Sequence, residues 1–218
     1  MSKLKCVLFD FDGVIADTEY SNLNYYALAM RSVGVELTEE EKLSLLGAND
    51  DETAPRFLRR APVPVTTEEF RLARKRVGNT YENSDIAPYP GLRELLTDLR
   101  GAGILTGVVS STECRLVLTA LNRMRMLSLF DVVVGGDMTM KHKPDPCPYQ
   151  HAMRLLNAEP AETVVIEDSA TGIRAGLAAG ATVIGYTGGS IRQDVSAASM
   201  TAQDYFSLAG YFRDILKR

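Results

Sequence analysis

Residues 6–19 read CVLFDFDGVIADTE. The stretch opens on four apolar residues, Cys6–Phe9, and turns at once to acid, with Asp10 and Asp12 two positions apart. A short apolar run that stops at turn-forming residues reads as a strand covered on both faces, as in a parallel sheet. Gly13 suits a tight turn directly after it. Further runs of the same kind follow at Leu105–Val109, Val132–Val134 and Thr163–Ile166, with Ala181–Tyr186 as a fifth candidate. Helical patterns alternate with them. Leu92, Leu95, Leu96 and Leu99 keep helical spacing after Pro90-Gly91, with Gly101 as a stop. Leu116, Val117, Ala120 and Leu121 repeat it, and further helices are expected near 146–156 and 170–179, the latter ending at Gly180. Strand and helix in alternation predict an α/β fold with an open, Rossmann-like parallel sheet.

One stretch breaks the alternation. From Asp17 to about Ile86 there is no strand pattern. Leu23, Tyr26, Ala27, Met30 and Val33 form an apolar helical stripe that Gly34 ends. Thr38-x-x-Glu41 and Thr66-x-x-Glu69 have the form of capping boxes. An all-helical domain over 17–86 is therefore expected as an insert after the first strand, with 1–16 and 87–218 forming the α/β core. Pro88 and Pro90 mark the return.

Composition narrows the function. The chain has 218 residues, 45% of them hydrophobic, and a formal charge of −4, so a packed core is expected and a nucleic-acid partner is not. Its three cysteines, Cys6, Cys114 and Cys147, lie far apart, and there are two histidines, which argues against a disulfide framework or a zinc site. No apolar run has the ~20 residues of a membrane span, and the N-terminus lacks a signal-peptide pattern. The expected setting is cytoplasmic, with no membrane partner, as a monomer or weak homo-oligomer.

In an open parallel sheet, ligands bind beyond the carboxyl ends of the strands. The polar residues that follow each apolar run are therefore the candidates. Asp10 and Asp12 follow the first, Ser110 and Ser111 the second. Lys143, in KHKPDP, lies beyond the third, and Glu167, Asp168 and Ser169 follow the fourth. Carboxylates crowded together repel unless a cation sits among them, and magnesium favours oxygen donors with substrate phosphate completing its shell. A carboxylate can also attack phosphorus to form an aspartyl-phosphate. A lysine and a serine hydroxyl can hold the phosphoryl oxygens.

Four segments, DFDGV with DTE, VVSS, the lysine before Pro144-Asp145, and VVIEDSATGIRAG, occur in this order. The chain resembles, over essentially its whole length, the haloacid dehalogenase superfamily, in its branch with a small all-α cap. The resemblance implies a Mg2+-dependent enzyme. Asp10 would be nucleophile and metal ligand. Asp12 would be general acid and base, with its backbone carbonyl toward the metal. Ser110, Ser111 and Lys143 would bind the phosphoryl group. Asp168 would ligate magnesium, with Glu167 beside it or bridged by water. The insert would be the cap.

The expected activity is hydrolysis of a small phosphorylated metabolite such as a sugar phosphate. The alternatives are a β-phosphoglucomutase-like phosphomutase and, less favoured, a catalytically idle binding or regulatory protein. The expected catalytic positions are all filled, which disfavours the idle form. A Ser-His-Asp hydrolase is disfavoured because no G-x-S-x-G elbow is present. In the mutases a histidine follows the DT pair and an arginine follows the cap glycine. Here Asn22 aligns with the former, and Ala48-Asn49-Asp50 follows Gly47. An amide cannot relay protons as imidazole does. The basic residues Arg56, Arg59, Arg60, Arg71, Arg74, Lys75 and Arg76 are expected to form a solvated helix face, and Tyr25 and Tyr26 to belong to a helical core.

Overall fold

The computed structural model describes residues 4–46 and 50–216, with side chains in the second stretch described from residue 53. The chain divides into two compact units, Met1–Asp17 with Ile86–Arg218, and Thr18–Asp85.

The first strand, β1 (Cys6–Phe9), leads into the second unit, which holds helices α1 (Glu19–Ser32), α2 (Glu39–Leu43), α3 (Asp50–Leu58), α4 (Thr67–Val77) and α5 (Thr80–Asn83). Both predicted capping boxes are formed. Thr38 and Thr66 accept from the backbone N–H of Glu41 and Glu69, whose carboxylates accept from the threonine N–H groups at 2.9 and 2.8 Å. Each box satisfies two otherwise orphaned donors at a helix start. Gly34, just past the end of α1, takes φ +84°, a conformation that costs glycine little. Tyr26, Met30, Phe57 and Phe70 share the core of this unit, with Tyr26 edge-on to Phe70 at 5.2 Å. Tyr25 is only partly buried.

The first unit continues with α6 (Leu92–Gly101), β2 (Leu105–Val109), α7 (Cys114–Arg123), β3 (Val132–Val134), α8 (Cys147–Leu155), β4 (Thr163–Glu167), α9 (Ala170–Ala178), β5 (Thr182–Tyr186), β6 (Met200–Ala202) and α10 (Tyr205–Leu216). The sheet is six-stranded in the order β3-β2-β1-β4-β5-β6, and every pairing is parallel. β1 lies centrally, with Leu8 opposite Gly107 on one side and Val165 on the other. Successive side chains leave opposite faces. Cys6 and Leu8 join the core under α8 and α9, with Tyr149, Met153, Ile173 and Val183. Phe9 packs instead edge-on against Phe130 at 6.1 Å and tilted against Tyr205 at 6.5 Å, centroid to centroid.

Several details differ from the sequence reading. β6 and α10 were not anticipated: Met-Thr-Ala is too short to show a strand period, and Gly210 interrupts the α10 pattern. Gly101 lies inside α6, and Gly103, with φ +76°, makes the reversal after it. The start of α7 has no side-chain cap from its own N-cap residue. Glu113 stands at that helix's N-cap position, and the Cys114 N–H donates to Asp137 at 2.7 Å.

Candidate active site

The turn after β1 sets the geometry. The Asp10 N–H continues the ladder by donating to Ile166 O at 2.9 Å, so the Asp10 side chain leaves at the carboxyl edge of the sheet. The chain then closes on itself, with the Gly13 N–H donating to Ala16 O and the Ile15 N–H to Phe11 O, both at 2.9 Å. Gly13 has φ +73°, and a Cβ there would lie 2.1 Å from Asp168 Oδ2. No other residue allows both the turn and the approach of Asp168. Tyr205 fastens the turn from below, its hydroxyl donating to Val14 O at 2.7 Å.

Lys143 gathers the acids. Its Nζ donates to Asp10 Oδ1 at 2.8 Å, to Glu167 Oε1 at 2.6 Å and to Val109 O at 2.9 Å. The Lys143 and Glu167 side chains are 5% and 0% exposed, so water screens this network little. The peptide between Lys143 and Pro144 is cis. Asp10, Glu167 and Asp168 each bring a carboxylate oxygen within 4.8 Å of the others. Asp12 stands two positions from Asp10 in sequence but is held separately, its Oδ2 accepting from the Thr112 hydroxyl at 3.0 Å. The Thr112 N–H in turn donates to Ser110 Oγ at 3.0 Å, and Ser110 is buried. Ser111 faces solvent.

Asp10, Asp12, Ser110, Lys143, Glu167 and Asp168 thus come together from four segments, whereas Ser111 lies outside the buried cluster. Three residues of the site were not singled out from sequence. Thr112 holds Asp12. Tyr149 donates to Glu167 Oε1 at 2.8 Å. Gln193 donates to Asp168 Oδ2 at 3.1 Å. The adjacency of Thr112 to Ser110-Ser111 was a usable signal for the first; no local pattern marks the other two.

The charges explain what such a cluster needs. Burial pushes the Asp10 carboxyl up to about 8; the Lys143 ammonium opposes this, while Glu167 and Asp12 add to it. For Lys143, burial alone favours the neutral amine, but Asp10 and Glu167 outweigh it and hold the group protonated. Both shifts have one origin, a buried site with more negative than positive charge. Three carboxylate donors facing one ammonium are the environment a hard divalent cation relieves, so the residues fit a metal ion of that kind.

Three of the basic residues of the helical unit are locally engaged. Arg60 pairs with Glu41, Arg71 with Glu68 at 3.2 Å, and Arg74 lies over the Tyr26 ring at 5.2 Å. Gly47 to Asn49 and the side chain of Asp50, where the mutase arginine is missing, lie outside the described residues. Asn22, at the other departure, donates to the Tyr81 hydroxyl at 3.2 Å. Among the described residues, no helix is long and apolar enough to cross a membrane.

Known proteins are similar to this chain over most of its length. A phosphorylated carbohydrates phosphatase of Thermotoga maritima is 30% identical over 177 residues, covering 81% of this chain and 82% of its own. A beta-phosphoglucomutase of Bacillus subtilis is 30% identical over 190 residues, 84% of this chain and 83% of its own. The crystal structure of CbbY from Rhodobacter sphaeroides, in complex with phosphate, superposes with a TM-score of 0.80 at 28% identity, over 94% of this chain and 96% of that one. The family model of the haloacid dehalogenase-like hydrolases matches residues 7–186, from within β1 to the end of β5. That span carries the four segments that bring Asp10, Ser110, Lys143 and Asp168 together, and the chain belongs to the haloacid dehalogenase-like hydrolase family.

Proposed function

We propose that this chain is a Mg2+-dependent phosphatase that hydrolyses a small phosphorylated metabolite, a sugar phosphate or similar phosphomonoester, through an aspartyl-phosphate on Asp10. The observation that carries the reading is the Lys143 ammonium seated on Asp10 Oδ1 at 2.8 Å, with Glu167 and Asp168 in the same cluster. A nucleophilic carboxylate beside a fixed cation has the elements that phosphoryl transfer requires, position and charge neutralisation.

Magnesium, held by Asp10, Asp168 and the Asp12 carbonyl, would supply Lewis-acid neutralisation of the phosphoryl oxygens. An Asp10 carboxylate oxygen attacks phosphorus as the bond to the leaving oxygen breaks, and Asp12 gives that oxygen its proton. Thr112 presents Asp12 for this, at 3.0 Å. Lys143 and Ser110 hold the phosphoryl oxygens. Asp12, now a carboxylate, takes a proton from water as the water oxygen bonds to phosphorus and the Asp10–phosphorus bond breaks. Inorganic phosphate and an alcohol leave, and Asp10 and Asp12 return to their starting states. We assign the helical unit the role of a cap that opens and closes over the site. Locking it to the core with an engineered cross-link is expected to suppress turnover, and unchanged turnover of a bulky substrate in the locked protein would refute that role.

A phosphomutase is the second reading, favoured by the similarity to a beta-phosphoglucomutase. It differs only in what accepts the phosphoryl group from Asp10. Asn22 supports the phosphatase, because its amide, which donates to Tyr81, does not take up and release protons as an imidazole does. The discriminating experiment supplies sugar monophosphates with magnesium, with and without a bisphosphate primer, and follows phosphate release alongside chromatography of the sugars. Free phosphate without an isomeric sugar phosphate is expected. Primer-dependent interconversion with little free phosphate would replace the phosphatase with the mutase.

A further inference from the structure

Tyr149 lies on α8, fully buried, three positions past the KHKPDP segment and outside every motif read from the sequence. Its hydroxyl donates to Glu167 Oε1 at 2.8 Å, the same oxygen that accepts from Lys143 at 2.6 Å. Its ring faces the Lys143 ammonium, 4.9 Å from Nζ to centroid. One side chain therefore touches both members of the pair, the anion through its hydroxyl and the cation through its ring.

The rest of Glu167 is also committed. Its Oε2 accepts from the Asp168 N–H at 3.1 Å, the Ser169 N–H at 3.2 Å and the Ser169 hydroxyl at 3.0 Å. Gly172 leaves the room, since a Cβ there would lie 1.7 Å from Oε1. A carboxylate already accepting five donors is an anchor for its neighbours, and Asp10 and Asp168 are left as the better direct metal ligands. Lys143 is similarly committed: an ammonium has three N–H donors, and Asp10, Val109 and Glu167 take all three. To hold a phosphoryl oxygen, Lys143 has to exchange one of these bonds. The bond to Asp10 loosens when that carboxylate bonds to phosphorus. The bond to Glu167 must stay, yet must not draw the ammonium away.

We propose that Tyr149 is a positioning residue: its hydroxyl shares Glu167 Oε1 with Lys143, and its ring steadies the ammonium, so that Lys143 stays in reach of the phosphoryl group on Asp10. This rests on the phosphatase reading and adds to it a residue that touches no reacting atom. Without the hydroxyl, Oε1 leans on Lys143 alone and pulls it toward Glu167.

The test compares Tyr149→Phe, which keeps the ring, with Tyr149→Leu, which removes both contacts. For Tyr149→Phe, kcat is expected to fall on the order of tenfold, as befits one hydrogen bond to a charged group, with KM changed less than about twofold. Calorimetry should show weaker binding of inorganic phosphate to the magnesium-loaded protein. In metal-free protein, nitrogen-15 NMR should show the Lys143 ammonium, assigned by its loss in Lys143→Arg, shifted in Tyr149→Phe. Tyr149→Leu should lose more of each. A Tyr149→Phe enzyme with wild-type kcat and an unshifted ammonium signal would overturn the proposal, as would a kcat loss fully matched by loss of folded protein. If wild-type protein hydrolyses no phosphomonoester, the phosphatase reading fails by itself, and the metal-free ammonium signal still decides whether Tyr149 positions Lys143.

Discussion

At the carboxyl edge of the sheet, Lys143 meets Asp10 across 133 positions of sequence and Glu167 across 24. On the helical unit, Arg31 pairs with Glu36 five positions on, and Lys42 with Glu39 and Arg71 with Glu68 at three. The first pairs are buried and enclosed by hydrogen bonds; the Arg31–Glu36 pair is 66% and 69% exposed. The chemistry of the two sets is the same, and their physical meaning is opposite. An exposed local pair is worth little, because water screens it and two long side chains must be ordered to make it. A buried pair carries a desolvation cost that folding alone does not require, and replacing such groups with apolar ones is often neutral or stabilising. The proposed catalytic role of this edge accounts for groups that folding alone would not place there.

The comparison breaks most sharply at Asp10. Asp10→Asn should lower turnover by about 10⁴-fold or more, the scale seen when a covalent nucleophile is lost, while the protein remains folded in thermal melts. Chelation should have a comparable effect that added magnesium reverses, with calcium inhibiting because its looser shell misplaces the phosphoryl group. Full activity in excess chelator would refute the metal requirement.

Lys143→Met tests the buried pair from the cationic side. It should reduce turnover by about 10²-fold or more. It should also destabilise the metal-free protein by about 3–5 kcal/mol in denaturant titration at a pH above about 8, where Asp10 has lost its proton and the buried acids lose their counter-charge. A fully stable Lys143→Met protein would show that the acids are neutral or hydrated.

The same burial gives a pH signature. Asp10 holds its proton more tightly folded, at about 8, than its ordinary value of 3.8 allows. Between those values the folded state binds more protons than the unfolded one, so stability of metal-free protein should fall as pH rises from about 4 to about 8. Asp10→Asn should flatten this slope in urea titrations at successive pH values. A slope unchanged by the substitution would assign it to other groups.

The helical unit should respond least. Thr66→Ala removes a capping box and should cost about 1 kcal/mol, and Arg71→Ala less than about 0.5 kcal/mol, both read by denaturant titration with kcat unchanged. A larger loss at Arg71 would mean that this surface pair does more than local bookkeeping suggests.

This contrast also decides what was legible in the sequence. Local features announced themselves: the apolar runs of β1 to β4, and the threonine–glutamate spacing at α2 and α4. The acids after β1 and β4 could be assembled too, because the carboxyl-edge rule turns separate strand ends into one place. What remained hidden depends on packing between distant residues. Tyr149 reads as an ordinary apolar position of α8 until the fold sets it against Glu167. Gln193 sits in the loop between β5 and β6 without a pattern, and reaches Asp168 only through the sheet order. Ser111 shows the reverse: it shares its motif with Ser110, yet the chain turns it to solvent.

The central claim is that Asp10 carries the phosphoryl group. Rapid quenching of magnesium-loaded enzyme with a turning-over phosphomonoester, followed by borohydride reduction and peptide mass spectrometry, reads this directly. Reduction should convert Asp10, and not Asp12, to homoserine, only when substrate is present and never in Asp10→Asn. Label at Asp12, or steady turnover with both aspartates unmodified at every quench time, would contradict the account.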